Sequence, residues 1–291
     1  MRYTNPVYEG HAADPTVVKG LDGTYYLYAT GNVRLRSADL VHWSDAGQWG
    51  VKGAPAAATS VMWAPDVARV GDLFVFSWSG GTGDRSKDDG SKALYYATGP
   101  HAAGPFEFGG KLTGFGFPID SKIFVDGGTP YLFWGGGAIY VAGLELHGTE
   151  VGLTSREPQL LHRNVDATIE GPWVHKHGGW YYLFYSYGHW DKASGPPEYQ
   201  VQISRSRQVT GPYTPPHQEA DTILRGDDRF WGPGHNCVVT DDAGQDWIVY
   251  HAWHGDRRAL MLDRIRYADG WPVINDGHPS STEQPGPVVR G

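Results

Sequence analysis

Five times along this chain a short run of aromatic and β-branched residues follows a glycine turn, and that repeat constrains the fold more than any other feature. The runs are DGTYYLYAT (22–30), GDLFVFSWS (71–79), GGTPYLFWG (127–135), GGWYYLFYS (178–186) and GQDWIVYHAW (244–253). Their starts are 49, 56, 51 and 66 residues apart. Each reads as a buried strand entered through a tight turn. A second strand precedes each run: DPTVVKG (14–20), APDVARV (64–70), DSKIFVD (120–126), EGPWVHK (170–176) and HNCVVTD (235–241). A third commonly follows, as in LYYATG, YVAGLEL, VQISRS and LMLDRI, and then a polar or Gly/Pro-rich segment such as GPFEF or GPYTP. Three to four antiparallel strands in each of five units predict an all-β, five-bladed β-propeller spanning residues 1–291 as one domain; an irregular β-sandwich is the rival.

Composition narrows the function. With 24 basic against 32 acidic residues the formal net charge is −8, and no Lys/Arg run is present, so nucleic acid and anionic membranes are not expected partners. Twelve Trp and 17 Tyr offer flat faces for a ligand to stack on. The lone Cys237 cannot form an intrachain disulfide. The sequence starts without a basic-then-apolar leader and has no apolar run of membrane-spanning length, so as written it is expected in the cytoplasm, or outside the cell if a leader was removed.

In a propeller the first strand of each blade lines the central channel, so the heads of the five first strands should converge. They carry Asp14, the Trp63–Ala64 pair, Asp120, Glu170 and His235. The distance to the first aromatic residue of the next strand is 11 residues from Asp14, Asp120 and Glu170, and 12 from His235, which aligns the heads with one another. Any one of these carboxylates would pass for a turn cap. Three of them in one ring, with Trp63, Trp134 and Trp173 nearby in sequence, suit sugar cleavage: aromatic faces stack on sugar rings, and carboxyls of different pKa deliver a proton and activate water.

The motifs NPVYEGHAADPTVV, SADLVHW, MWAPDV, IDSKIFVDGGTPYLFWGG, IEGPWVHKHGGWYYLFYS, SRSRQVTGPY, GHNCVV and DRIRYADGWPV, in that order, resemble glycoside hydrolase family 43, the arabinanase, arabinofuranosidase and xylosidase group. The resemblance implies Asp14 as general base, Glu170 as general acid, and Asp120 as the residue that orients the acid and raises its pKa. It implies inversion at the anomeric centre, with the two catalytic carboxyls roughly 6.5–9.5 Å apart to admit a water. It further implies substrate contact by Arg258, with adjacent Arg257 an alternative, a subsite wall at Trp63, and His235 at the propeller axis beside a structural calcium ion or a water; no other cofactor is implied. One departure is Ser121, where the family more often has proline after the middle acid.

The expected substrate is a pentose-containing oligosaccharide or polysaccharide bearing α-L-arabinofuranosyl linkages, as in arabinan or arabinoxylan. Because the sequence ends about 20 residues after the last blade motif, leaving no room for the C-terminal sandwich common in xylosidases, arabinofuranosidase or exo-acting arabinanase is preferred to β-D-xylosidase. A fructan- or sucrose-acting propeller would carry Arg-Asp-Pro where this chain has Ile119-Asp120-Ser121. A non-catalytic sugar-binding propeller is the rival of a different class, and it has no need of three carboxylates at blade heads. Loops 80–92 and 187–199 bear on whether the cleft is open; the second, with His189, Trp190 and Tyr199, is the candidate for recognising the substrate's end.

Overall fold

The computed structural model describes residues 1–81, 92–113, 118–155, 157–163, 168–193, 195–216 and 221–290. Most of loop 80–92 therefore lies outside the described residues. Five antiparallel sheets make five blades around one channel. Blade 1 comprises strands Thr16–Lys19, Tyr25–Ala29, Val33–Ser37 and Ser44–Asp45. Blade 2 comprises Trp63–Val70, Leu73–Gly80, Ala93–Gly99 and Phe106–Thr113, with Val51–Lys52 added in parallel at its edge. In blade 3, Ile119–Asp126, Thr129–Gly135 and Ala138–His147 are followed by Glu150–Leu153 and Gln159–Arg163, both paired to the third strand. Blade 4 is Ile169–His177, Trp180–Tyr187, Gln200–Ser206 and Thr222–Arg225; blade 5 is Trp231–Thr240, Asp246–His254, Arg257–Ala268 and Trp271–Ile274. Among the described residues the single helix is the four-residue Ala56–Thr59.

All five expected hairpins form where the glycine turns predict. The Gly/Pro-rich GPFEF segment carries the start of the fourth strand of blade 2: after the Gly104–Pro105 turn the chain pairs from Phe106 onward, and Phe106 is fully buried among Tyr28, Phe76 and Trp49. Blade 5 also starts four residues earlier than expected, since Trp231 already pairs with Trp253.

Aromatic side chains fill the wedges between blades. Between blades 1 and 2, Trp49 meets Phe76 and Trp78 with centroids 5.0 and 6.5 Å apart, and Tyr28 packs edge-on to Phe76 at 5.1 Å. Truncating such a buried ring, as in Trp49→Ala, costs about 3–5 kcal/mol through lost transfer energy and a cavity.

The ring closes through the first residues of the chain. Arg2–Tyr3 pairs with Gln284–Pro285, and Val7, Tyr8 and Ala12 bond to the third strand of blade 5 through Leu260 and Arg258. This lacing delivers Asp14 to the mouth directly beside blade 5.

Candidate active site

In blades 2 to 5 the first strand begins with a β-bulge at the mouth, and the residue in the bulge has left-handed backbone: Ala64 (φ 41°), Asp120 (59°), Gly171 (59°) and His235 (45°); Asp14, two residues ahead of the first strand of blade 1, has the same conformation (54°). These conformations are costly for residues with a Cβ. They show that blade 4 was aligned one residue off in the sequence. Gly171, not Glu170, is the counterpart of Asp14 and Asp120; Glu170 stands one position earlier, level with Trp63 and Ile119. Position 171 has little tolerance for a side chain, since a Cβ there would lie 3.1 Å from His235 Nδ1 and 3.3 Å from Ser186 Oγ.

A single rule holds the heads in place. The residue at the mouth end of the aromatic run, its last residue in blades 1, 2 and 4 and His251 within the run of blade 5, accepts the backbone N–H of the next blade's head. Thr30 Oγ1 accepts from Ala64 at 2.9 Å, Ser79 Oγ from Asp120 at 2.9 Å, Ser186 Oγ from His235 at 2.7 Å, and His251 Nδ1 from Asp14 at 3.1 Å. Blade 3 breaks the rule because its run ends in Gly135, where a Cβ would lie 2.9 Å from Glu170 Cα. There the Asp120 carboxylate itself takes over, accepting the Gly171 N–H at 3.0 Å. Asp120 thereby anchors the backbone that carries Glu170.

The two outer carboxyls sit in opposite surroundings. Arg258 Nη1 donates to Asp14 Oδ1 at 3.2 Å, Thr30 donates to Oδ2 at 2.5 Å, and His251 and His235 stand 3.4 and 3.7 Å from Oδ1. Burial would push Asp14 up, but the Arg258 charge and the Thr30 hydrogen bond hold it well below the usual carboxylate range. Because His251 Nδ1 accepts from the Asp14 N–H, that ring carries its proton on Nε2, and burial followed by the Arg258 charge keeps it neutral.

Among the described residues no cation pairs directly with the Glu170 carboxyl, and the Arg258 charge lowers it least of the influences on it. Burial, assisted by the Asp14 charge, outweighs a 2.7 Å hydrogen bond donated by Tyr199 and pushes it up to about 7. Asp120 is raised as well, by burial and then by the charges of Glu170 and Asp14; a proton on either member of the Asp120–Glu170 pair relieves the other.

Of the expected contact residues, Arg258 and Trp63 are at the mouth. Arg258 lies between Asp14 and the ring of Trp190, whose centroid is 4.9 Å from its guanidinium carbon, whereas Arg257 is exposed. Trp63 is half-buried at the head of blade 2, with Lys92 Nζ 5.5 Å from its ring. Two tryptophans must be corrected. Trp134 is 1% exposed and stacked on Tyr140 in the wedge between blades 2 and 3, so no face is left for a sugar. Trp173 lies two residues down the strand from Gly171 and packs into the channel core with Lys122 Nζ 3.5 Å from its ring centroid. Closeness in sequence to a blade head did not place either ring at the mouth, because strand residues two apart lie at different depths of the channel.

His235 Nδ1 is 3.7 Å from Asp14 and 3.6 Å from Asp120. Calcium takes six to eight oxygen ligands. The carboxylate one layer below, Asp66, is already engaged: Oδ1 accepts from Thr16 and Lys122 at 3.0 and 3.2 Å, and Oδ2 from the Ile123 N–H at 2.7 Å. With the Lys122 ammonium fixed at that level, the residues there do not fit a calcium ion.

Thr30, Ser79, Ser186 and His251 were missed as site residues, although three of them are visible as the small polar ends of the aromatic runs. Tyr199 was noted in loop 187–199, but the structure buries it against Glu170, with Gly234 leaving space for its ring.

A propeller whose mouth biases one carboxyl toward its charged form and another toward its protonated form has the arrangement that glycoside hydrolysis needs. The sequence matches the profile of glycosyl hydrolases family 43 over residues 3–272, and the chain belongs to that family. It is 27% identical over 299 residues to a probable arabinan endo-1,5-alpha-L-arabinosidase A of Aspergillus flavus, covering 90% of each chain. A beta-D-galactofuranosidase of Aspergillus niger is 28% identical over 306 residues, covering 93% of this chain and 84% of the other. Among solved structures, a thermostable family-43 glycoside hydrolase superposes with a TM-score of 0.79 at 27% identity, covering 99% of this chain and all of the other.

Proposed function

We propose that the chain hydrolyses α-L-arabinofuranosyl linkages of arabinan, arabinoxylan or their oligosaccharides with inversion at the anomeric carbon. Asp14 takes a proton from a water as that water's oxygen bonds to the anomeric carbon. The glycosidic C–O bond breaks on the opposite face, and its oxygen takes the proton held by Glu170. Asp120 fixes the backbone under Glu170 and, by its charge, favours the protonated acid. The cycle ends with Asp14 protonated and Glu170 ionised, and solvent restores both. The proposed steps use side chains and water, and Lys122 neutralises Asp66 within the channel.

The observation that carries this reading is the opposite bias of two carboxyls in one mouth, Asp14 held down by Arg258 and Glu170 pushed up by burial. The arabinan-acting relative supports the sugar. The relative named as a galactofuranosidase supports a second reading, β-D-galactofuranosides, which share the five-membered ring. The test is a panel of aryl α-L-arabinofuranoside, aryl β-D-galactofuranoside, aryl β-D-xyloside and linear and branched arabinan, with anomers followed by proton NMR. Release of arabinose, first seen as the inverted anomer, is expected, and the product lengths separate terminal from internal cleavage. Retained configuration overturns the mechanism; hydrolysis of the xyloside alone overturns the substrate; sugar binding without turnover favours the non-catalytic rival.

A further inference from the structure

The first strand of blade 4 leaves the mouth at Glu170 and ends seven residues later at His177, about 23 Å away at 3.3 Å per residue, toward the opposite face of the propeller. His175 and His177, two apart on that strand, point to the same side. They face Asp246, which opens the second strand of blade 5. His175 Nε2 lies 2.9 Å and His177 Nδ1 3.0 Å from the same oxygen, Asp246 Oδ2, and the three ligand atoms all fall within 4.8 Å of one another.

The surroundings fix these groups. Asp246 is buried; Thr240 donates to its Oδ1 at 2.6 Å, and the Tyr267 hydroxyl to Oδ2 at 2.9 Å. The Tyr267 ring lies flat on His177, with centroids 3.7 Å apart and planes 9° apart. Such outer contacts are what orient a metal-binding imidazole and carboxylate. Oδ2 meets three groups at once, two of them imidazole nitrogens, and one cation between the three ligands would replace two N–H bonds that crowd a single oxygen. His177 is 42% exposed, which leaves a side open for a water. Two imidazoles and one carboxylate suit zinc and its neighbours, not calcium.

We propose that His175, His177 and Asp246 form a divalent transition-metal site, zinc by ligand type, that clamps blade 4 to blade 5 at the end of the channel away from catalysis. The site shares no residue with the catalytic mouth, so it stands or falls independently of the proposed reaction.

The test is to strip the full chain with a chelator and add zinc chloride alone, measuring bound zinc by equilibrium dialysis and the melting temperature. The expected result is about one zinc per chain, a melting temperature raised by about 3 °C or more at saturating zinc, and turnover changed less than about twofold, since the site lies far from the mouth. In His177→Gln, at the more exposed ligand, both the bound zinc and the shift should vanish while the metal-free melting temperature stays close to that of the unaltered chain. Absence of bound zinc in the unaltered chain, or equal binding and an equal shift in His177→Gln, overturns the proposal.

Discussion

The two sides of the channel mouth start from the same physical condition and end in opposite states. Asp14, between blades 1 and 5, and Glu170, on blade 4, are both shielded from water, and shielding alone raises any carboxyl. On the Asp14 side the N-terminal lacing brings in Arg258, and blade ends bring in Thr30 and His251. On the Glu170 side the nearest partners are a phenol and another carboxyl, Tyr199 and Asp120. The lesson is that the position of one guanidinium, not the depth of burial, decides which carboxyl is held in its charged form and which is pushed toward the protonated one.

Removing either carboxyl should break the comparison outright. Asp14→Asn and Glu170→Gln are each expected to lower kcat on arabinan by about 10²–10⁴-fold, the usual range for general acid–base catalysis, with the fold intact by circular dichroism. The next largest effect is expected from Arg258→Met, which takes away the cation that holds Asp14 ionised: Asp14 rises, so the acidic limb of the pH–rate profile should move to higher pH, with a large loss of rate.

Two milder changes sharpen the contrast because their signs differ. In the unaltered enzyme, activity should fall as pH rises through about 7, where Glu170 loses its proton. Asp120→Asn removes the carboxyl coupled to the acid, so Glu170 should ionise more readily and the alkaline limb should move to lower pH, with a reduced rate. Tyr199→Phe removes a hydrogen bond that favours the ionised acid, so that limb should move to higher pH. Shifts in the same direction would contradict the roles given to Asp120 and Tyr199. The smallest effect is expected from calcium: adding it to a chelator-treated chain should leave kcat within about twofold, because Asp66 is already paired with Lys122 and calcium needs six to eight oxygen ligands.

Much of this was legible in the sequence. Glycine turns followed by aromatic runs specify hairpins locally, so the five blades and the carboxylates at their heads could be read by counting. Counting failed at blade 4, where only backbone geometry reveals that Gly171 fills the bulge and Glu170 precedes it. It also failed for Trp134 and Trp173, because strand position and depth decide whether a ring faces the mouth, the wedge between blades or the channel core. Thr30, Ser79 and Ser186 were visible as repeated small polar residues, but their role depends on the neighbouring blade, which no local pattern shows. Tyr199 reaches Glu170 through a long connection whose path the sequence does not dictate.

The central claim, that Asp14 is the base and Glu170 the acid, is tested most directly with a substrate that needs no acid. Glu170→Ala and Asp14→Ala should be compared on arabinan and on an aryl α-L-arabinofuranoside with a strongly acidic phenol as leaving group. Glu170→Ala is predicted to lose activity on arabinan but keep most of it on the activated glycoside, with the alkaline limb gone, while Asp14→Ala loses both. Equal loss on the two substrates in Glu170→Ala, or activity retained on the activated glycoside in Asp14→Ala, would contradict the assignment.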